Sequence, residues 1–76
     1  MPKLPVLSAR KVLKVLQKTG FEIVGRKGSH IRLKKKTSLE TRIVIVPNHQ
    51  EIQLGTLKSI MRQTGLSKKE FLELLK

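Results

Sequence analysis

The chain has 76 residues, of which 17 are lysine or arginine, five are acidic and none is cysteine, so its net charge is +12. A chain of this length forms one domain, residues 1–76, whose modest core cannot enclose a large organic cofactor. The missing thiols exclude disulfides, zinc–thiolate sites and cysteine nucleophiles, and the large positive charge is typical of proteins that bind phosphate backbones or acidic proteins.

The first predicted element is an amphipathic helix from about Ser8 to Thr19. Ser8 is a good N-cap, and Gly20 is a good C-terminal stop. Between them, apolar residues recur at the i, i+3, i+4, i+7 spacing of one helical face, while lysine and arginine occupy the other faces. The apolar face consists of Ala9, Val12, Leu13 and Leu16.

A β-hairpin is predicted after this helix. Residues 21–27 have the composition of a strand, with Phe21, Ile23 and Gly25 on one side. Gly28-Ser29 supplies the turn, because glycine adopts backbone conformations that other residues avoid. The hairpin therefore places the start of the second strand directly beside the end of the first.

The second and third strands are predicted over residues 30–35 and 41–46, with a polar loop between them. In the second strand, Ile31 and Leu33 point to one face, and the polar residues that alternate with them point to the other. The third strand is rich in β-branched residues, and Pro47 ends its hydrogen bonding because proline has no N–H to donate.

Two helices complete the chain after a connector over residues 47–53. The second helix ends at Gly65, and its apolar positions are Leu54, Leu57, Ile60 and Met61. Ser67 and Glu70 have the spacing of a capping box, which opens a short third helix. Its apolar residues are Phe71, Leu72, Leu74 and Leu75.

The predicted order α-β-β-β-α-α defines an α+β fold. A three-stranded antiparallel sheet in this order has its helices packed on one face and its other face open. Double-stranded-RNA-binding domains share this order, so we predict a fold like theirs. No segment reaches the roughly 18 apolar residues of a membrane span and no signal peptide is evident, so we expect a cytoplasmic protein that does not bind membranes.

The alternation of the second strand places a histidine on the open face of the sheet. If the apolar pair of that strand faces the core, His30 faces solvent with Arg32 and Lys34 on its own face. Arg26 and Lys27 lie just before the turn and add two more cations. The sequence therefore predicts an exposed histidine in a basic field.

This combination suits RNA cleavage by internal attack. Histidine titrates near neutral pH and can take the proton of a 2′-hydroxyl, while cations stabilise the charged phosphorane, and no metal ion is required. The pattern therefore indicates a metal-independent RNA-cleaving site with His30 as its proton carrier. The competing interpretation is an incidental surface histidine, which is what most lone histidines on strands are.

The other chemistry-bearing residues give weaker signals. His49, the only other histidine, is either the acid partner of a two-histidine mechanism or a polar residue of the connector. Two histidines and five scattered glutamates have no metal-ligand spacing, and the chain has no aspartate for a Ser-His-Asp set, so we expect no metal and no cofactor. Phe21 and Phe71 are expected in the core, which leaves RNA binding to phosphate contacts.

An ordered set of short motifs runs along nearly the whole chain. It begins with Met1-Pro2-Lys3-Leu4-Pro5 and continues with Gly20-Phe21, Gly28-Ser29-His30, and Val46-Pro47 followed by His49. It ends with Gly55-Thr56-Leu57, Ile60, Arg62, Gln63, Gly65, Leu66 and Ser67. In this order the motifs resemble the HicA, or YcfA-like, family of toxin mRNA interferases.

The resemblance implies a double-stranded-RNA-binding-domain-like fold, endoribonuclease activity on mRNA, and a HicB-type antitoxin that neutralises the toxin by covering its site. It implies that His30 is catalytic. We expect the free toxin to be monomeric and to bind RNA through Arg26, Lys27, Ser29, Arg32 and Lys34.

Two other functions fit the same composition. A non-catalytic RNA-binding module would share the fold and the charge but would not need His30, so a His30→Ala variant would keep every phenotype. An interaction protein whose basic face binds only an acidic partner would have no RNA affinity even at low salt.

Overall fold

A computed structural model describes residues 6–75 of the chain and confirms the predicted α+β architecture. The N-terminal motif Met1–Pro5 lies outside the described residues. The elements are α1 (Ala9–Lys18), β1 (Glu22–Lys27), β2 (His30–Lys36), β3 (Thr41–Pro47), α2 (Leu54–Thr64) and α3 (Lys68–Leu74).

Helix α1 begins and ends where its sequence predicts. The Ser8 hydroxyl accepts a hydrogen bond from the Lys11 N–H at 3.3 Å, and Thr19 is the C-cap. The buried face consists of Ala9, Val12, Val15 and Leu16. Leu13, predicted for this face, is only partly buried, because Val15 lies nearer the centre of the buried stripe.

The three strands form an antiparallel sheet in the order β1-β2-β3. One face of this sheet is the floor of the core, and all three helices contribute side chains that cover it. Its buried residues are Ile31, Leu33, Val44 and Val46. Because side chains alternate along a strand, the residues between these four lie on the open face.

Strand β1 departs from the predicted alternation. Ile23 pairs with Leu33 on the helix-covered side, but Gly25 pairs with Arg32 on the open side, because Val24 forms a β-bulge between them. The expectation that Gly25 shares a side with Ile23 is therefore wrong. A bulge inserts one extra residue and reverses the faces of the positions that follow it.

The C-terminal helices follow their predicted signals. Gly65 ends α2 in the left-handed conformation with φ 78°, and its N–H donates to the Met61 carbonyl at 3.1 Å. Ser67 and Glu70 form the capping box of α3, which places Phe71 fully in the core. Helix α2 packs against β3, so the helix layer is fixed to one edge of the sheet.

Candidate nucleic-acid interface

The turn that presents His30 is a two-residue β-hairpin. Lys27 and His30 form its closing pair, and Gly28 has φ 57°, whereas Ser29 does not have a positive φ. A positive φ at the first loop position alone is the pattern of a type II′ turn, which favours glycine there. Gly28 thus allows the chain to reverse tightly and place His30 at the first position of β2.

The segment after β3 fixes this turn from the other side. The Asn48 N–H donates to the Ser29 carbonyl at 2.6 Å, and His30 lies opposite Pro47 in the sheet register. The residue after Asn48 is His49, and its carbonyl accepts a hydrogen bond from the Ala9 N–H at 2.9 Å, at the start of α1. The turn is therefore connected through the backbone to both the sheet and the first helix.

The open face of the sheet forms a shallow concavity, which we term the basic concavity. Five of the six predicted site residues line it: Arg26, Lys27, His30, Arg32 and Lys34. The sixth, Ser29, is not among its lining residues and contributes instead the carbonyl that anchors the turn. The structure therefore brings the predicted histidine and the four predicted cations to one surface.

Arg26 differs from the other cations in its position on the sheet. Its register partner is the buried Ile31, so the alternation along β1 assigns Arg26 to the helix-covered side. Its exposed side chain nevertheless lines the basic concavity. Lys27 and Arg32, by contrast, belong to the open face. The bulge at Val24 is the cause, because it reverses the faces of β1 beyond that point.

The connector histidine is not part of this surface. Within residues 6–75, His49 is exposed but does not line the basic concavity. Both backbone groups of His49 are hydrogen-bonded. Its N–H donates to the Pro47 carbonyl at 2.9 Å, and its carbonyl accepts from the Ala9 N–H at the start of α1. This favours the structural interpretation of His49 over an acid paired with His30.

Three aliphatic side chains lie among the cations. Val24, Ile43 and Ile45 are 52%, 49% and 44% exposed, and together they form what we term the apolar strip. The register places Ile45 opposite Arg32 and Ile43 opposite Lys34, so apolar and basic side chains alternate across the open face. The exposure of Val24 places this side chain on the surface and not in the core.

Sequence reasoning missed the two isoleucines of this strip, although a signal for them exists. Residues 43–46 are four consecutive β-branched apolar residues. In a sheet with one covered face, a continuous apolar run must expose every second member. The run therefore indicates that one alternate pair is exposed, and the structure shows that this pair is Ile43 and Ile45, while Val44 and Val46 are buried.

The charges of the basic concavity have no acidic counterpart within it. None of its described lining residues is acidic. The ion pair between Arg42 and Glu40, at 2.9 Å, lies outside the basic concavity, where the β2–β3 loop meets β3. In the part of the chain described, no three histidine or acidic side chains come together as metal ligands. The surface is thus suited to an anion and to proton transfer by His30.

Comparison with models of protein families gives a match that covers most of the chain. A family model described as HicA toxin of bacterial toxin-antitoxin matches residues 9–66, a range that contains the turn and the whole basic concavity. A search of curated proteins found no match. Over residues 6–75, no helix is long and apolar enough to cross a membrane.

Proposed function

Because the chain belongs to the HicA toxin family, we propose that it is an endoribonuclease that cleaves mRNA, uses His30 for proton transfer and is neutralised by a HicB-type antitoxin. The observation that carries this proposal is the position of His30. It is exposed on the basic concavity, next to a turn whose Ser29 carbonyl is hydrogen-bonded to Asn48. An mRNA substrate also implies a cytoplasmic location.

The proposed reaction is attack by a ribose 2′-hydroxyl on the neighbouring phosphorus. His30 accepts the hydroxyl proton as the 2′-oxygen bonds to phosphorus, and the bond to the 5′-oxygen breaks. The leaving oxygen takes a proton from the imidazolium or from water. The products are a 2′,3′-cyclic phosphate and a 5′-hydroxyl, and the route needs no metal ion.

The cations supply electrostatic stabilisation in this scheme. Lys27 is the register partner of His30, and Arg32 follows two residues along the same face, so positive charge lies on two sides of the imidazole. Negative charge builds on the phosphoryl oxygens in the transition state, and fixed cations favour that state over the ground state. Lys34 lies further along β2 and is suited to hold a neighbouring phosphate.

RNA recognition in this proposal is led by phosphate contacts. The two aromatic residues of the chain, Phe21 and Phe71, are 2% and 0% exposed, so neither offers a face for base stacking. Cations on an otherwise aliphatic surface contact the backbone of any sequence. We therefore expect weak sequence preference from the isolated chain.

The antitoxin part of the proposal is supported by the apolar strip. Exposed aliphatic side chains between cations fit a protein that offers apolar contacts together with carboxylates. A partner seated on Ile43 and Ile45 also covers Arg32, which lines the same concavity as His30. Such a complex excludes RNA from the histidine by occupying its approach.

The decisive experiment is RNA cleavage by the purified chain in the presence of EDTA. We expect the wild type to cleave and to leave cyclic phosphate ends, His49→Ala to cleave at a similar rate, and His30→Ala to be inactive but folded. A surface substitution of this kind changes stability by less than about 0.5 kcal/mol. Cleavage by folded His30→Ala, or a requirement for magnesium, would contradict the proposal.

The same assay tests the antitoxin. Addition of a HicB-type antitoxin should stop cleavage by the wild type and should stop it less completely for Ile45→Glu, which places a carboxylate within the proposed contact. Leu39→Glu is the matched control, because Leu39 is 94% exposed and lies outside the concavity. Full cleavage activity in the antitoxin complex would refute this part of the proposal.

A non-catalytic RNA-binding module remains the second candidate function. It is favoured by one observation: among the described residues that line the basic concavity, His30 is the sole histidine and there is no carboxyl group. No second acid–base side chain of either kind accompanies His30 to protonate the leaving oxygen. A module of this kind binds RNA as tightly after His30→Ala as before and leaves the RNA intact in both cases. The cleavage assay therefore separates the two functions.

A further inference from the structure

A groove between α1 and α3 lies in the helix layer, away from the open face of the sheet. We term it the lysine groove. None of the described residues that line it also lines the basic concavity. Its apolar lining consists of Val6, Leu7, Val15, Leu74 and Leu75. The lysine groove is therefore a surface separate from the proposed RNA-cleaving site.

Three lysines line this groove along one helix. Lys11, Lys14 and Lys18 are all exposed, and their spacing of three and four residues places them on one stripe of α1, about 10 Å long. The Lys18 amine donates to the Leu74 carbonyl at 3.1 Å, which ties the end of α1 to α3. Among the described lining residues there is no carboxylate.

The apolar lining favours a protein segment over RNA as the occupant. Val6 is 73% exposed, and Leu74 and Leu75 are only half-buried, so aliphatic surface remains uncovered beside the lysines. Phosphate gains nothing from aliphatic contact, and no aromatic side chain lines the groove to stack on a base. A second copy of the chain is disfavoured because its own net charge is +12.

We propose that the lysine groove is a docking site for an acidic amphipathic helix of a partner protein. Helices of this kind bind apolar grooves through side chains at i, i+3, i+4 and i+7. The apolar side chains would pack against Val6, Leu74 and Leu75, and flanking carboxylates would pair with the lysine stripe. Because the groove lies outside the basic concavity, a partner bound here leaves His30 open to RNA.

The test uses a synthetic helix as the probe. A capped peptide of about 14 residues carries leucine at the i, i+3, i+4, i+7 positions and glutamate on both flanks, and a scrambled peptide has the same composition without the leucine stripe. Binding is followed by fluorescence anisotropy and by amide NMR spectra of the protein at about 0.15 M salt, where distant charges are screened. RNA cleavage is measured in parallel as a readout of the other surface.

The matched variants are Lys14→Glu, in the groove, and Lys58→Glu, an exposed position on α2 that lines neither surface. Both change the net charge equally. We expect Lys14→Glu to weaken binding of the striped peptide roughly five- to tenfold and Lys58→Glu to change it less than about twofold. Amide shifts should be confined to α1, α3 and the residues just before α1.

Three results would overturn the proposal: equal effects of the two variants, equal binding of the scrambled peptide, or amide shifts on β2 and β3 instead of α1. RNA cleavage by free Lys14→Glu should match that of the wild type. His30→Ala, by contrast, should remove RNA cleavage and leave peptide binding unchanged. The two variants therefore distinguish a failure of the proposed docking site from a failure of the proposed nuclease function.

Discussion

At the scale of single residues, the geometry of the proposed site depends on Gly28. Its φ of 57° lies in the left-handed region, which costs a residue with a side chain about 1–2 kcal/mol. A Cβ at this position meets no atom within 4 Å, so crowding adds nothing to that cost. The orientation of His30 two residues later is therefore maintained by backbone conformation rather than by packing.

Gly28→Ala should lower the free energy of unfolding by about 1–2 kcal/mol and reduce RNA cleavage, because the turn relaxes and moves the imidazole. Gly25→Ala is the control. Its φ is not positive and its Cβ also meets open space, so we expect unchanged or slightly higher stability. Chemical denaturation of both variants makes the comparison. Equal stability of the two would show that the positive φ of Gly28 is not a constraint.

At the scale of elements, the two edges of the sheet are protected in different ways. On the β3 edge, the Gln63 side-chain oxygen of α2 accepts from the Ile45 N–H at 3.3 Å, and Arg42 donates to the Gln63 carbonyl at 3.2 Å. On the β1 edge, the bulge at Val24 interrupts the regular register. Covered or irregular edges resist pairing with a second sheet. That the free chain is a monomer stays a prediction.

The capping box of α3 makes a prediction about stability and pH. Hydrogen bonds from the Ser67 N–H and from the Ser67 side chain lower the pKa of the Glu70 carboxyl. A carboxyl group whose pKa is lower in the folded than in the unfolded state stabilises the fold at pH values above its unfolded-state pKa. This stabilisation is lost as the pH falls through its folded-state pKa. The cap thus contributes to the stability of α3 at neutral pH and less in acid.

Ser67→Ala should reduce the free energy of unfolding at pH 7 by about 1 kcal/mol and raise the pKa of Glu70 part of the way to its ordinary value, because the backbone hydrogen bond remains. NMR titration of the carboxyl and denaturation at two pH values measure both effects. Ser38→Ala, at an exposed loop position, is the control. An unchanged Glu70 pKa would mean that the hydroxyl does not contribute.

Sequence patterns predicted the element order, the capping of α1 and α3, and the face of His30, because each depends on local spacing. The reversal after Val24 was not predictable in this way, since a bulge is defined by the pairing of β1 with β2. The lysine groove depends on how α1 and α3 pack, which no single helix encodes. The apolar run of β3 includes Ile43 and Ile45, but the run alone does not tell which of its members are exposed. The pairing of β3 with β2 places these two on the open face.

At the scale of the whole molecule, the net charge of +12 governs encounters with polyanions, which under the proposed function include RNA. The basic concavity and the lysine groove lie on different layers, so cations face outward from both sides of the fold. A positive field of this extent raises association rates with polyanions, and this enhancement becomes smaller as ionic strength rises, because salt screens the field. Affinity for RNA should therefore depend on salt even where sequence has no effect.

If four to six phosphates are contacted, the slope of log K against log salt should be about −3 to −4 for single-stranded RNA. Removal of Arg32 or Lys34 should make the slope shallower by about 0.7 each, while Lys58→Ala should leave it nearly unchanged. Filter binding or anisotropy over a salt series measures these slopes. An affinity that does not vary with salt would exclude a phosphate-led interface.

The hydrogen bond between Ser29 and Asn48 also has a consequence for biosynthesis. During translation, α1, His30 and every cation of the basic concavity are synthesised before Asn48. Asn48, however, supplies the N–H that donates to the Ser29 carbonyl and so fixes the turn. A nascent chain that stops at Pro47 thus contains all the chemical groups of the site without their anchored arrangement. Interrupted synthesis therefore yields a basic peptide, and only the longer chain gains the anchored turn that presents His30.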